Sequence, residues 1–232
     1  MLALVAVALF TSCNKTDSNT NLHITGNIKG LKKGTLYIQR IADTVLVPID
    51  TISIDGNSNF TSDLNLESPE MLYLFLDRGV TNSLDNNLMF FAEPGNISIN
   101  TNLDSYIGSA KVTGSKNHDL YEEYKKISSR FKDQNLTLIE QKFKAIKRQN
   151  AAAIDSLTLK QDSNTKRSYL FATNFAINNR EYEIAPYIAL AEIYDINVKY
   201  LDTIQKSMTP KVAKSLYGKK LTTYIESIKK QE

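Results

Sequence analysis

The sequence predicts an α+β protein, with an N-terminal antiparallel β-sandwich or barrel over residues 22–115 and a C-terminal bundle of helices over residues 116–232. Two observations predict this division. The spacing of the apolar residues changes near residue 115 from that of short strands to that of helices. The charge changes at the same place: residues 1–115 carry 7 Lys and Arg against 11 Asp and Glu, whereas the later residues carry 21 against 14. The formal net charge of +3 is too small to indicate a nucleic-acid partner.

The first residues predict a lipid anchor. The apolar run LALVAVALF is far shorter than the roughly 20 residues of a membrane-spanning helix, but it fits the hydrophobic region of a secretory signal. The small residues Thr11 and Ser12 follow it and precede Cys13, the only cysteine of the chain. This arrangement resembles the lipobox of bacterial lipoproteins, in which the thiol receives a diacylglycerol and becomes the new N-terminus. We expect residues 1–12 to be a lipoprotein signal peptide and Cys13 to be lipidated; the alternative is a buried strand that ends in an inert cysteine.

Residues 13–21 continue as a short polar stretch without large apolar side chains, which predicts a flexible tether. Two acyl chains are enough for stable anchoring, so the membrane is an expected partner through Cys13. Asp17 is the only acidic residue of the tether, whereas export of such lipoproteins to the outer face usually accompanies an acidic cluster. We therefore expect a location in the cell envelope, on the outer membrane and facing the periplasm.

The next residues predict about seven or eight short strands, rich in Val, Ile, Thr and Tyr and separated by turn residues. The strand-like pattern occurs in six stretches, which are LHITGNI, GTLYIQRI, TVLVPIDTISI, EMLYLFL, NLMFFAE and NISINT. Pro48 cannot donate to a strand ladder, so its strand is expected at an edge or to be bulged. Residues 55–59 (DGNSN) open like a calcium loop, but Phe60 and Leu66 occupy the positions that need glycine and glutamate, and a hairpin turn is predicted instead.

Helical spacing begins after residue 116. An apolar stripe with Lys and Glu on the other faces predicts a long amphipathic helix, and it consists of Leu120, Tyr124, Ile127, Phe131, Leu138, Ile139, Phe143 and Ile146. Residues 166–178 and 186–204 are predicted to contain further helical stretches. Thr209 and Pro210 are typical of a helix start, and Gly218 is expected to interrupt that helix.

No motif in the sequence predicts catalysis. His23 and His118 are not spaced as metal ligands with each other or with carboxylates, and a surface position is expected for both. The chain has no Gly-rich phosphate loop, no Gly-x-Ser-x-Gly and no Cys-x-x-Cys. We therefore predict no catalytic, cofactor-binding or metal-binding residue and no enzyme activity.

Several segments in order resemble one lipoprotein family of Gram-negative bacteria, named domain of unknown function 4369. The segments that resemble the family are ITGNIKGLKKGTLYI, PIDTISIDGNSNFTSDL, FFAEPGNISI, KVTGSKNHDLYEEY, EIAPYIALAEIYD and SLYGKKLTTYIESI. The resemblance implies a β-domain and a helical segment that usually precede a thioredoxin-fold domain with a Cys-x-x-Cys. No position here matches that active site, so we expect the thioredoxin-like domain to be missing from this chain.

These features predict a non-enzymatic, lipid-anchored envelope protein that binds an unknown partner. The alternative is the accessory or truncated N-terminal half of a thiol–disulfide oxidoreductase, and a third class is a carrier of a small apolar ligand inside the β-domain. A protein partner is expected on the helical half, near its C-terminus. The expected contact residues are Tyr217, Leu221, Tyr224, Ile225 and Ile228, flanked by Lys219, Lys220, Lys229 and Lys230.

Overall fold

The computed structural model describes residues 20–79 and 84–230. The predicted signal peptide, the lipidation site Cys13 and the tether up to residue 19 lie outside the described residues. Asn21, at the end of the predicted tether, is fixed to the β-domain, because its side-chain amide donates to the carbonyl of Leu66 (2.8 Å) and its side-chain oxygen accepts the Leu66 N–H (2.8 Å).

Eight strands form the first part of the described chain. They are β1 (Leu22–Lys29), β2 (Lys33–Ala42), β3 (Val45–Asp55), β4 (Asn59–Leu64), β5 (Glu70–Asp77), β6 (Asn87–Ala92), β7 (Gly95–Asn102) and β8 (Lys111–Thr113), with a 3₁₀ turn at Leu84–Asn86. Two open four-stranded sheets result, in the orders β4-β1-β7-β8 and β3-β2-β5-β6. Aliphatic residues of both sheets share one core, so the fold is a sandwich and not a closed barrel.

Strand pairing is antiparallel in these sheets except between β1 and β7, which run parallel from Leu22 opposite Gly95 to Lys29 opposite Asn102. Strand β3 lies at a sheet edge, and its register shifts by one residue next to Pro48. The prediction for Pro48 is therefore confirmed in both respects. A turn with Gly56 at φ +81° joins β3 to β4, but the predicted hairpin was wrong, because these two strands do not pair and belong to different sheets.

Six helices follow the strands in the part of the chain that the structure describes. They are α1 (Lys116–Lys147), α2 (Ala151–Asn178), α3 (Ile184–Ala191), α4 (Val198–Ser207), α5 (Pro210–Ala213) and α6 (Leu216–Lys229). The predicted α+β order is thus confirmed. The helical stretches predicted within residues 166–178 and 186–204 lie in α2, α3 and α4. Helix α2 begins earlier, at Ala151, where Asn150 caps it, and residues 192–197 separate α3 from α4. None of the described helices is long and apolar enough to cross a bilayer.

The helices pack on the outer face of the second sheet. Alternate residues of β5 point to opposite sides: Leu72, Leu74 and Leu76 lie in the sandwich core, whereas Met71 lies in the core shared with the helices. Phe91 of β6 lies in that second core as well and is fully buried. Three layers therefore stack in the order sheet, sheet, helices, with β5 covered on both faces.

The break between α5 and α6 lies at Lys214 and Ser215, not at Gly218 as predicted. The Ser215 hydroxyl accepts the Gly218 N–H (3.3 Å) and caps α6, so the chain turns three residues earlier. Gly218 has a different role, because a Cβ there would lie 2.0 Å from the Val212 carbonyl oxygen. Glycine is needed for the close contact of α6 with α5.

Candidate functional site

A groove of about 1020 Å³ lies where the β2–β3 turn, the β4–β5 loop and α6 meet. The strand side contributes Arg40, Asp43 and Glu67, and the helix side contributes lysines and apolar groups. Because both halves of the chain form it, the groove depends on how the helices dock on the sheet.

An ion pair lies in the groove. The Arg40 guanidinium of β2 donates to a Glu70 carboxylate oxygen of β5 at 2.8 Å, and the Glu70 side chain is only 10% exposed. The Arg40 Nε is buried and has no hydrogen-bond partner among the described residues. Burial raises the pKa of Glu70 above its usual range, although the charges of Arg40 and Lys220 oppose the shift. The pair was not found from the sequence, since its members are 30 positions apart and no local pattern joins them.

Three exposed lysines lie on the helix side of the groove, and these are Lys214, Lys219 and Lys220. Two hydrogen bonds hold their segment to the sheet. The Leu216 N–H donates to the Ser68 hydroxyl (3.1 Å), and the Met71 N–H donates to the Tyr217 hydroxyl (2.9 Å). The groove therefore has a fixed wall that presents positive charge.

A tyrosine-rich cluster lies behind this wall. The Tyr187 ring contacts Phe91, Tyr121 and Tyr217 edge to face, with ring centroids 5.0 to 5.9 Å apart. Burial raises the pKa of Tyr121 to about 12 and the pKa of Tyr217 above its usual range, so these hydroxyls stay neutral at physiological pH. The cluster packs the helices onto the sheet and carries no charge.

His118 was predicted at the surface, and this prediction was wrong. The residue is 4% exposed, and its Nδ1 accepts the Phe91 N–H at 3.3 Å. The neutral ring therefore carries its proton on Nε2, which lies 3.5 Å from a Glu122 carboxylate oxygen. Burial lowers the pKa of His118, with smaller effects from Glu122, Lys125 and Asp119. The ring joins α1 to β6 beside a smaller cavity of about 310 Å³.

His23 is exposed, as predicted, and its Nδ1 lies 2.5 Å from a carboxylate oxygen of Asp63. It lies on β1, in the outer sheet, and the two histidines do not meet. Within residues 20–79 and 84–230, no group of three or more His, Cys, Asp or Glu side chains is arranged to hold a metal ion.

The predicted contact residues near the C-terminus divide into two groups. Leu221 and Ile225 are buried in the helical core, while Tyr217, Tyr224 and Ile228 are half-buried against it, so these side chains mainly pack the helices. Lys219 and Lys220 face the groove, whereas Lys229 binds Asp202 at 2.7 Å. Two of the four lysines thus lie at the candidate site.

A glutamate and an asparagine complete the junction at the start of α1. The Glu93 carboxylate accepts the Lys116 N–H (2.6 Å), and the Asn117 side chain donates to the same carboxylate (2.6 Å). The Asn117 side-chain oxygen accepts the Ile184 N–H of α3 at 2.9 Å. These bonds connect the second sheet, α1 and α3.

Residues 22–121 match the model of a protein family described as domain of unknown function (DUF4369), which confirms the resemblance over these residues. The match includes the sandwich and ends in the first turns of α1. It therefore contains Asn117 and His118, the α1 residues whose hydrogen bonds hold the helix to the second sheet and the residue that follows it. No curated protein and no solved structure matches the chain.

Proposed function

We propose that this chain is a non-enzymatic, lipid-anchored binding protein of the bacterial cell envelope, whose protein partner occupies the groove beside α6. The observation that carries the proposal is the groove itself: both halves line it, its volume is about 1020 Å³, and three lysines face it. Binding pockets are typically concave, with apolar walls and a few placed polar groups.

The charges of the groove favour an acidic segment of the partner. Glu70 is already paired with Arg40, and the three lysines outnumber the two other carboxylates of the groove, those of Asp43 and Glu67. Lys219 and Lys220 have no ion-pair partner among the described residues and are exposed. Leu190 and Tyr224 add apolar area next to them. Carboxylates of a polypeptide would meet the lysines while its apolar side chains cover these two residues.

The lipid anchor at Cys13 would hold this groove close to the membrane. The first described contact of the chain with the β-domain is made by Asn21. Eight residue steps lead from Cys13 to Asn21, and they span at most about 29 Å when fully extended. The sandwich would therefore stay within this distance of the outer membrane, on the periplasmic side.

The groove is tested by charge reversal with a matched control on the same helix. A photo-crosslinking residue is placed at Thr223, an exposed position in the groove, and crosslinking is done in intact cells. We expect a crosslinked product that is lost in Lys219→Glu/Lys220→Glu and kept in Lys229→Glu/Lys230→Glu. Equal products in both double variants would place the partner elsewhere.

The anchor is tested by mass spectrometry of the mature N-terminus and by cell fractionation. We expect an acylated Cys13 as the first residue and release of the Cys13→Ser variant from the membrane fraction. An intact Met1, or a Cys13 without acyl mass, would contradict this part of the proposal.

The second candidate function is the accessory half of a thiol–disulfide oxidoreductase. The family match over residues 22–121 favours it, since the resemblance implies a thioredoxin-fold neighbour in related chains. The genomic DNA directly downstream separates the two candidates. An in-frame or frame-shifted Cys-x-x-Cys there supports the oxidoreductase half, and its absence supports the stand-alone binding protein.

A further inference from the structure

The distal part of α1 carries a second apolar stripe that α2 does not cover. α1 packs against α2 through Leu138 and Ala145, which contact Leu157. The stripe on another side of α1 consists of Leu136, Ile139, Phe143 and Ile146, spaced by three, four and three residues. Leu136 is 67% exposed, Phe143 62% and Ile146 49%, whereas Ile139 is half-buried. This is the spacing of a coiled-coil seam, and here the seam has no partner within the described part of the chain.

Two charges flank the stripe on one edge. Asp133 lies before it and Lys147 after it; both are exposed, and neither has an ion-pair partner among the described residues. In the heptad that places Leu136 and Phe143 at a and Ile139 and Ile146 at d, both charged residues occupy e. Opposite charges therefore stand at the two ends of one seam.

We propose that this stripe is the contact surface for a second copy of the chain, in an antiparallel pairing of two α1 helices. A two-fold axis at residue 141 places Leu136 opposite Ile146 of the other copy and Ile139 opposite Phe143. An axis one residue earlier places Asp133 opposite Lys147. The stripe and the charges thus require the same axis to within one residue, and such self-complementarity is what a two-fold interface needs.

Of the charges nearest the axis, Glu140 is paired within each copy and Lys142 is held by a neutral amide. The Glu140 carboxylate binds Lys144 at 2.5 Å, and the Lys142 ammonium donates to the Gln161 side chain at 3.3 Å. An acidic partner or an anionic lipid surface would attract Lys147 but would repel Asp133, so it would leave one of the two flanking charges unpaired. A second copy meets attraction at both ends.

Sedimentation equilibrium of the whole chain carrying Cys13→Ser tests the pairing. We expect a reversible dimer that Phe143→Lys weakens more than tenfold. The matched control is Leu159→Lys on α2, where an equally exposed leucine (70%) lies off the stripe and should leave the dimer unchanged. A monomer at every concentration, or equal loss in both variants, would overturn the proposal.

Charge exchange tests the antiparallel direction. Asp133→Lys alone and Lys147→Asp alone should each weaken the dimer about threefold or more, because each change creates two like-charge pairs. The double variant Asp133→Lys/Lys147→Asp restores both pairs and should return the dissociation constant to the original value. If both single variants weaken the dimer and the double variant does not restore it, the antiparallel pairing is wrong. Disulfide crosslinking in intact cells gives a second test. Crosslinking of Phe143→Cys to itself, without crosslinking of Asp133→Cys to Lys147→Cys, would also overturn the antiparallel pairing.

Discussion

The two halves of α1 bury their side chains to different extents. The half nearer the sheet buries residues on several turns, and these are Asn117, His118, Leu120, Tyr121, Tyr124 and Ser128. The distal half buries only Leu138 and Ala145, and their small cluster contains just one more buried residue, Leu157 of α2. The same helix is therefore part of the protein core at one end and half of a two-helix arm at the other.

The difference shows where α1 obtains its stability. The near half packs on a sheet and on α3, and its first turn is capped by Glu93 and Ser115. The arm packs on a single helix, and its apolar side chains Leu136, Phe143 and Ile146 are exposed. Since most helix stability comes from tertiary packing, we expect the arm to open locally while the near half opens only with the whole fold.

The largest expected effect is at the sheet–helix junction. Phe91→Ala removes a fully buried ring that contacts Tyr187 and Tyr217, and it should cost about 3–5 kcal/mol of unfolding free energy in urea titrations. Leu157→Ala in the arm is the control and should cost about 2 kcal/mol, at the low end for such changes, because two helices can close the gap. If Leu157→Ala lowered the unfolding free energy as much as Phe91→Ala, the arm would be as firmly packed as the junction and the comparison would be wrong.

The polar contacts of the junction come next. Asn117→Ala leaves the buried Ile184 N–H without its acceptor and should cost about 1–3 kcal/mol in the same titrations. Gln141→Ala changes an exposed amide on the arm and should stay within about 0.5 kcal/mol. If the two variants were equally stable, the Asn117 bonds would not hold α1 to α3.

His118 should make the near half sensitive to pH. Burial lowers its pKa in the folded state, whereas the unfolded chain takes up the proton below about pH 6.5. The unfolded state then binds more protons, so the unfolding free energy should fall as the pH is lowered from 7 through this window. His118→Asn keeps an acceptor near Phe91 and does not titrate, so its thermal midpoint should fall less between pH 7 and pH 5. Parallel curves would show that another group causes the loss.

The smallest effect is expected on the exposed stripe. Leu136→Gln should change the unfolding free energy of the dilute chain by no more than about 0.5 kcal/mol, since its side chain is 67% exposed. Chemical denaturation at low concentration measures this. A loss of several kcal/mol would mean that the residue is packed within its own chain.

Local patterns in the sequence determined the order of the elements. The change of period near residue 115 marks the boundary that the structure places between Thr113 and Lys116. The turn at Gly56 and the edge position of Pro48 follow from backbone chemistry, because a positive φ and a missing N–H act within a few residues. Such features could be predicted since no distant part of the chain is needed to produce them.

Only the tertiary structure decided which of these residues are buried and which meet. The apolar residues of α1 have the same helical spacing from Leu120 to Ile146. The sheet lies beneath the first part of the helix alone, so Leu120 is buried and Phe143 is exposed. His118 became a buried link because β6 passes beside it, and Arg40 reaches Glu70 because β2 and β5 are neighbours in the sheet. Pairing and burial depend on groups far apart in the chain, and spacing along the sequence does not contain that information.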